Sequence, residues 1–345
     1  MIASGIRYEQ DWMCTEYDGV SALQTNLTLA DLWLEGMAHG ASHAGLSVQY
    51  CMPYPNDILA GSQHVAVTNA RATGDYFHAS NQWAIGGTAM FYWALGILPF
   101  KDGFYSSTAK QVGGQTVGPE THPDREALMS VLSTAMVAPM DGIHLLNATR
   151  VNATCRADGI VLKPDRPVFP ADTCFAAKDP GCYVYHTYTE VPGLGRAHYH
   201  FANNPSQPLT RAMLSLPAHD LTAPPLALYN WYTGEATLFR PSNPLRAGYE
   251  GTVYAMAVPL IGPGDLPAKW APLGQLDKYV PLAGKRIVQI REAGSTQLVM
   301  DVQGVPAETV EVCALYFDGT EKLTKLCNRT VFEKQDEIKT VTLSR

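Results

Sequence analysis

The residues from 65 to 76 read VAVTNARATGDY and hold the pattern that decides the fold. A short β-branched run opens this stretch and breaks into a turn at Gly74, with Arg71 and Asp75 four residues apart around it. In parallel α/β enzymes, charged catalytic groups stand at the carboxyl ends of the strands. The stretch therefore predicts a parallel strand that carries Arg71 and Asp75 to a functional edge.

Strands and helices alternate on both sides of this stretch. The helix predicted from Leu29 to Met37 has apolar residues at helical spacing, Thr28 as its N-cap and Gly40 as its stop signal. Short connections between alternating elements are typical of a parallel sheet. The predicted strands are residues 5–11, 46–52, 65–69, 96–100 and 142–145, and the other helices are 80–94, 126–136 and a last one ending at Cys155.

The second half of the chain has a different pattern. From about residue 179, short segments with period-2 alternation, such as YVYHTY at 183–188, are separated by Pro, Gly and Asn turns. This predicts an antiparallel β-sandwich. We therefore divide the chain into an α/β domain at 1–178 and a β domain at 179–345. The further predicted strands are 212–216, 226–231, 251–259, 286–291, 297–302 and 310–317.

Composition excludes several classes of function. The chain has 345 residues, of which 46% are hydrophobic and 17% charged, as in globular proteins. The formal net charge is −7 and Lys/Arg runs are absent from the sequence, so nucleic acid is not predicted as a partner. No apolar stretch reaches the roughly 18 residues that span a bilayer. Metal-ligand spacings and glycine-rich phosphate loops are also absent, so neither metal nor cofactor is predicted.

Three predicted strand ends together resemble a known family. Residues 71–75 (RATGD) resemble the acid/base motif of the α-galactosidase and raffinose synthase group of TIM-barrel glycosidases. Residues 5–12 (GIRYEQDW) lie where that group has its nucleophile strand, and residues 51–57 (CMPYPND) are similar to its next strand end. The resemblance implies a partial (β/α)8 TIM barrel that begins at the nucleophile strand, followed by a β-sandwich. It also implies that the first strands of the barrel are missing.

The resemblance implies two catalytic carboxylates. Asp75 matches the acid/base, and Arg71 the arginine that holds a sugar hydroxyl beside it. The family pattern Lys-x-Asp aligns Arg7 with the lysine, as a substrate-binding group, and Glu9 with the nucleophile. Asp11 shares a strand face with both residues and competes for the nucleophile role, because the family uses Asp. Glu9 and Asp11 therefore both remain candidates.

Two more residues are candidate sugar contacts. Trp12 could stack on a sugar face, the alternative being core packing at the sheet rim. Asp102 resembles an acidic strand end of the raffinose synthases and is a candidate subsite residue. Asp57 and Asp141 follow similar strand ends and are weaker candidates.

Cysteines and sequons bear on the compartment. Of the seven cysteines, Cys174 with Cys182 and Cys313 with Cys327 bracket turns and are candidate disulfides, the alternative being buried free thiols. Four N-x-S/T sequons, at Asn26, Asn147, Asn152 and Asn328, favour a secreted, lysosomal or other endomembrane protein. Residues 1–5 have neither the basic start nor the apolar core of a signal peptide.

These observations predict a retaining glycoside hydrolase or transglycosylase that acts on an α-linked sugar, with an α-galactoside as one candidate substrate. Two alternatives stay open at this point. One is a catalytically inactive carbohydrate-binding homologue, which the Glu9 departure favours. The other is a truncated fragment of such an enzyme, whose open sheet edge would be exposed.

Overall fold

A computed structural model of the chain describes residues 7–76, 83–111, 119–172, 174, 183–203, 225–239, 251–264, 269–320 and 322–345. The predicted strand at 212–216, Cys182 and the first residues of the helix predicted at 80–94 lie outside these residues. Within the described part, the chain is a mixed α/β structure rich in sheet.

Four parallel strands form one sheet in the order in which they occur along the chain. Glu9 pairs with Gln49, and Asn69 of the third strand pairs with Gln49 on its other side and with Leu98 of the fourth. The sequence analysis predicted these four parallel strands in this order, and both predictions are confirmed. The strands are β1 (Arg7–Gln10), β2 (Ser47–Tyr50), β3 (Val67–Arg71) and β4 (Leu98–Phe100).

Helices follow β1, β2 and β3 and pack on one face of the sheet. Leu34 and Ile58 from two of these helices lie in one buried cluster with Val48, Tyr50 and Ala70 of the strands. That alternation is the basis of the parallel arrangement, because a parallel pair needs a crossover connection. The helices of the described residues are α1 (Ser21–Thr25), α2 (Leu29–His43), α3 (Pro55–Gly61), α4 (Gly86–Ala94), α5 (Pro123–Leu132) and α6 (Ala148–Asn152).

The end predicted for α2 at Gly40 is wrong. The helix continues to His43, and the chain turns at Gly45, whose φ is +69°. A left-handed residue of this kind ends a helix most readily when it is glycine. Gly40 keeps a right-handed helical conformation in the exposed last turn, where glycine lowers helix stability without ending the helix.

The fifth predicted strand is also wrong. Residues 142–145 form a turn, in which Leu145 N–H donates to the Gly142 carbonyl at 2.9 Å. His144 has a φ of +70°, and the apolar side chain of Ile143 is 87% exposed and does not enter a core. A single parallel bridge between Phe104 and Pro139 lies beyond β4 instead. The described residues therefore contain a four-stranded parallel sheet and do not close a barrel.

The second half forms three antiparallel sheets, as the period-2 pattern predicted. Their strand orders are β5-β6-β7-β10-β8-β9, β11-β14-β15 and β12-β13-β16. The strands are β5 (Phe169–Pro170), β6 (Val184–Val191), β7 (Gly195–Asn203), β8 (Leu226–Asn230), β9 (Ala236–Leu238), β10 (Thr252–Pro259), β11 (Lys269–Gly274), β12 (Ile287–Ala293), β13 (Gln297–Gly304), β14 (Thr309–Phe317), β15 (Leu323–Val331) and β16 (Glu337–Ser344).

Packing of the two halves is continuous. The largest buried cluster joins Leu128 and Leu132 of α5 to Tyr199, Tyr254 and Trp270 of the antiparallel sheets. The parallel sheet and helices α2 to α4 have a smaller cluster of their own. The apolar face of α5 is thus buried against the antiparallel region, and the division of the chain at residues 178/179 stays a prediction.

One predicted disulfide is confirmed. Cys313 and Cys327 lie directly opposite each other on β14 and β15 and are bonded. Cys174 is also disulfide-bonded. Cys14, Cys51 and Cys155 are free thiols. Among the described residues, no helix is long and apolar enough to cross a bilayer.

Candidate active site

Arg71, the last residue of β3, contacts two carboxylates. Its Nη1 lies 2.5 Å from Oδ1 of Asp75 and 3.6 Å from Oδ2 of Asp102. The Arg71 side chain is only 9% exposed, whereas that of Asp75 is 41% exposed. Arg71 is therefore a buried cation that orients an accessible acid, which is the juxtaposition that residues 71–75 predicted.

Asp102 is held more firmly than Asp75. Its Oδ1 accepts from the Gly103 N–H at 2.7 Å and its Oδ2 from the Tyr76 N–H at 3.2 Å. Its φ of +79° turns the chain directly after β4. Because both oxygens of Asp102 accept backbone hydrogen bonds, it suits a positioning or subsite role, and Asp75 is the more available of the two carboxylates.

A chain of polar side chains crosses one face of the sheet. Arg7 Nη1 donates to Asn69 Oδ1 at 3.1 Å, Asn69 Nδ2 to Gln49 Oε1 at 2.8 Å, and Gln49 Nε2 to Glu9 Oε1 at 3.3 Å. Gln49 and Asn69 are almost fully buried. Their amides thus fix Glu9 and Arg7 at the middle and the amino end of β1.

Asp11 lies two residues after Glu9, on the same strand face and just beyond the end of β1. Its Oδ1 accepts from the Trp12 N–H at 2.7 Å, and its carboxylate forms a hydrogen bond with the thiol of Cys51. Burial, followed by this hydrogen bond, raises the pKa of Cys51. The thiol therefore stays protonated and can donate to Asp11.

Cys51 links the strand ends electrostatically. The charges of Arg71, Asp11 and Glu9 all act on its thiol, so the ends of β1, β2 and β3 converge around it. Burial lowers the pKa of Arg71, but the charges around it, including the carboxylates of Asp102 and Asp75, outweigh burial and the net shift is upward. Cys51 was not among the predicted site residues. Its position directly after β2 was the available signal.

Trp12 is exposed, and its predicted alternative, core packing, is wrong. The side chain is 61% accessible and the residue has a φ of +58°. This left-handed conformation turns the chain out of the sheet plane directly after Asp11. An exposed indole next to a carboxylate could stack on a sugar ring.

A buried ion pair supports the loop that carries Asp75. Lys101, which follows β4, is fully buried and pairs with Glu126 of α5. Its Nζ lies 5.1 Å from the centre of the Tyr76 ring, and the Tyr76 hydroxyl donates to Glu120 Oε2 at 2.5 Å. Since Tyr76 directly follows Asp75, these contacts hold the candidate acid in place. The sequence analysis did not single out Lys101 or Glu126.

The two weaker carboxylate candidates have local structural roles. Asp57 Oδ2 accepts from the Tyr54 N–H at 2.7 Å in the first turn of α3, and the residue is buried. The Asp141 carboxylate accepts from the Ser106 N–H at 2.8 Å, so it orders the loop after β4. Both contacts satisfy backbone donors that would otherwise be unpaired.

One group of possible metal ligands occurs in the described part of the chain. It consists of Glu311, Cys313 and Cys327, and the two sulfurs are bonded to each other as a disulfide. A disulfide sulfur is not the thiolate ligand that zinc and related metals require. This group therefore does not constitute a metal site.

Comparison with known proteins assigns no family to the chain. No family model matches it, and no curated protein matches it. Among solved structures, it is similar to the isomalto-dextranase of Arthrobacter globiformis T6 complexed with panose. The likeness covers 99% of this chain and 67% of that chain, at 12% sequence identity and a TM-score of 0.42. A likeness of this degree establishes neither a family nor an activity.

Proposed function

We propose that the protein is a retaining glycoside hydrolase or transglycosylase that acts on an α-linked sugar. The observation that supports this most is that Arg71 pairs with Asp75, and that the charges of Arg71, Asp11 and Glu9 all act on the Cys51 thiol, across strands β1 to β3 of one parallel sheet. Retaining cleavage needs two carboxyl groups about 5–5.5 Å apart, one as nucleophile and one as acid and then base. Asp11 follows β1 and Asp75 follows β3, on either side of β2, so both carboxylates lie at the same edge of the parallel sheet.

Asp75 is the proposed acid/base. It is the more exposed of the two carboxylates on Arg71, and it lies on a loop that the Tyr76 and Lys101 contacts support. In the first step its proton goes to the leaving glycosidic oxygen. In the second step the same carboxylate takes a proton from the attacking water or acceptor hydroxyl.

Asp11 is the preferred nucleophile. It lies beyond the strand end, its carboxylate is hydrogen-bonded by Cys51, and its neighbour Trp12 is exposed. The carboxylate attacks the anomeric carbon as the leaving oxygen departs, which gives a glycosyl–enzyme ester that water or an acceptor then cleaves. Glu9 accepts from Gln49 at 3.3 Å and lies closer to the middle of the sheet. It therefore suits a supporting role better.

Three further residues are proposed to bind the sugar. Arg71 has a planar guanidinium whose remaining donors can orient a sugar hydroxyl beside Asp75. Trp12 would stack on a sugar face, and Asp102 would accept from a second hydroxyl. An α-galactoside is one candidate substrate.

Activity on a panel of nitrophenyl α-glycosides tests the proposal. Asp75→Asn should lower turnover of substrates with poor leaving groups far more than turnover of activated aryl glycosides, since only the former need the proton. Asp11→Asn should abolish turnover of both kinds, whereas Glu9→Gln should retain part of it. Asp18→Asn, an exposed carboxylate outside the site, is the matched control. Equal loss in Asp75→Asn on both substrate kinds would contradict the acid/base assignment.

A non-catalytic carbohydrate-binding protein is the second candidate. Glu at position 9 instead of the family's Asp and the exposed indole of Trp12 favour it. In that case oligosaccharides would bind without turnover. Trp12→Ala would then abolish binding, and Asp75→Asn and Asp11→Asn would leave it unchanged. Calorimetry of the wild-type chain and these three variants separates the two functions.

A further inference from the structure

A cavity of about 760 Å³ lies between the parallel sheet and the antiparallel region. On one side Arg7 and Leu98 line it, at the amino ends of β1 and β4. On the other side it is lined by Val288 of β12, Gln303 of β13 and Ile338 of β16. Arg7 is four residues from Asp11, so along the strand this cavity lies roughly 13 Å from the proposed nucleophile. It is therefore separate from the candidate active site.

The walls of this cavity are largely aliphatic. Leu98, Met136, Val137, Ile160, Val288 and Ile338 all line it. Aromatic rings, which would suit a flat sugar, are absent from the described residues that line the cavity. Its volume is within the usual range of roughly 300–1,000 Å³ for small-molecule sites, which are mostly apolar with a few polar groups and often lie between domains. The walls thus suit a flexible hydrocarbon body.

The charged groups of the cavity are mainly cationic. Arg7, Lys163 and Lys285 line it together with one carboxylate, Asp165. An Asp165 oxygen accepts from the backbone N–H of Glu190 at 2.7 Å. In the described part of the chain, none of the three cations has a carboxylate within ion-pair distance. The cavity is therefore positive in a protein of net charge −7.

Two of these cations lie close enough to affect each other. Lys163 is an exposed residue whose amino group is partly desolvated, and this desolvation, followed by the nearby charge of Arg7, lowers its pKa. Lys163 Nζ donates to the Thr134 carbonyl at 2.7 Å, which holds the ammonium at the cavity wall. An anionic group between Arg7 and Lys163 would relieve their repulsion. Cavities lined by one sign of charge concentrate ligands of the opposite sign.

We propose that this cavity binds an amphipathic organic anion, with an aliphatic body and a single carboxylate head, as in a medium-chain fatty acid. The head pairs with Lys163, Lys285 and Arg7, and the chain packs against the aliphatic wall. The cation set supplies charge-assisted hydrogen bonds to the carboxylate. Burial of the methylene groups adds favourable free energy in proportion to chain length. This binding is independent of the proposed glycosidase activity.

Calorimetric titration of the whole chain with decanoate tests the proposal. One decanoate should bind per chain, and affinity should fall as ionic strength rises. Acetate, which lacks the chain, and decan-1-ol, which lacks the charge, should each bind at least roughly tenfold more weakly. Acetate binding as tightly as decanoate, or decanol binding as tightly, would overturn the assignment.

Two variants locate the site. The double variant Lys163→Gln/Lys285→Gln should weaken decanoate binding roughly tenfold or more. Its matched control, Lys322→Gln/Lys325→Gln, removes the same charge from exposed positions near and on β15 and should leave affinity unchanged. Val288→Trp fills the cavity and keeps its charge, so it should abolish binding while circular dichroism stays native. Unchanged decanoate affinity in both cavity variants would refute the proposal.

Discussion

Strands β3 and β10 are both central in their sheets, yet their side chains differ in kind. β10 reads TVYAMAVP. All eight of its residues are buried, and nearly all of them have apolar side chains. β3 reads VTNAR and buries Asn69 and Arg71 instead. An apolar strand is stabilised by burial itself, whereas buried polar groups need partners to avoid a desolvation penalty. Buried polar side chains within a sheet therefore mark candidate functional positions, where apolar packing alone would have given more stability.

The same contrast holds for the two regions as wholes. The antiparallel region shares the largest buried cluster with α5 and has a cross-strand disulfide. The parallel sheet has a smaller apolar cluster on one face and the Arg7–Asn69–Gln49–Glu9 chain on the other. The antiparallel region thus supplies most of the stability, and the parallel sheet presents the candidate active site.

The largest expected effect is on the core of the antiparallel region. Trp270 is fully buried, and its indole N–H donates to the Gly294 carbonyl at 2.9 Å. Trp270→Ala should lower the free energy of unfolding by about 3–5 kcal/mol, through lost burial and the cavity that remains. Urea denaturation followed by circular dichroism measures it. A loss below about 1 kcal/mol would contradict the assignment of the main stabilising core to this region.

Loss of the disulfide should have the next largest effect. Cys313 and Cys327 are 14 residues apart, and their bond restricts the unfolded chain. Cys313→Ala/Cys327→Ala should destabilise the protein by about 3 kcal/mol. Reduction of the wild-type protein also breaks the disulfide of Cys174, so it should cause a loss at least as large as that of the double variant. Glycosidase activity should persist under conditions where the variant remains folded, because the bond is in the other region.

Asn69→Ala tests the polar chain of the parallel sheet. The change removes the acceptor of the Arg7 guanidinium and the donor to the Gln49 side chain. The first of these hydrogen bonds is partly buried and the second is buried. It should lower the free energy of unfolding by about 1–3 kcal/mol, through polar groups left unpaired. It should also reduce turnover of α-glycosides, since Gln49, which holds Glu9, loses its partner, whereas Met256→Ala in β10 should affect stability alone. Equal activity in both variants would remove the distinction between the two strands.

A smaller effect depends on pH and concerns the turn after Trp12. Burial, opposed by a hydrogen bond from Tyr17, raises the pKa of Glu16 to about 7 from an ordinary 4.5. Between these pH values the unfolded chain loses its proton first, so stability should fall as pH rises from about 4.5 to 7 and stay lower above that. For this half-exposed group we expect about 1 kcal/mol after allowance for solvent screening. Glu16→Gln should abolish the effect.

The antiparallel region should respond to pH with the opposite sign. Burial, with the charges around it, lowers the pKa of His186 to about 3 and that of His198 to about 4. Both imidazoles must stay neutral in the folded state. Stability from this pair is therefore complete above the ordinary value of 6.5 and is lost as pH falls toward 3. Hydrogen exchange at pH 5 and pH 8 should show which region opens first at each pH.

Periodicity and turn residues were sufficient to predict much of the architecture. The four parallel strands and the antiparallel second half follow from local patterns of burial and β-branching. The pairing of Arg71 with Asp75 was also predictable, because the two residues are only four positions apart and both lie at the end of β3. The strand predicted at 142–145 was wrong because Ile143 is apolar but has no core to enter, which local pattern alone does not reveal.

The amino-acid sequence by itself determined the order of the parallel strands, the antiparallel character of the second half and the pairing of Arg71 with Asp75, because these depend on residues near one another in the chain. Only the tertiary structure decided that Cys51 lies between Asp11 and Arg71, that Lys101 pairs with Glu126, and that α5 packs with the antiparallel sheets. Those contacts join residues 20 to more than 100 positions apart. Their formation depends on how the whole chain buries its apolar surface.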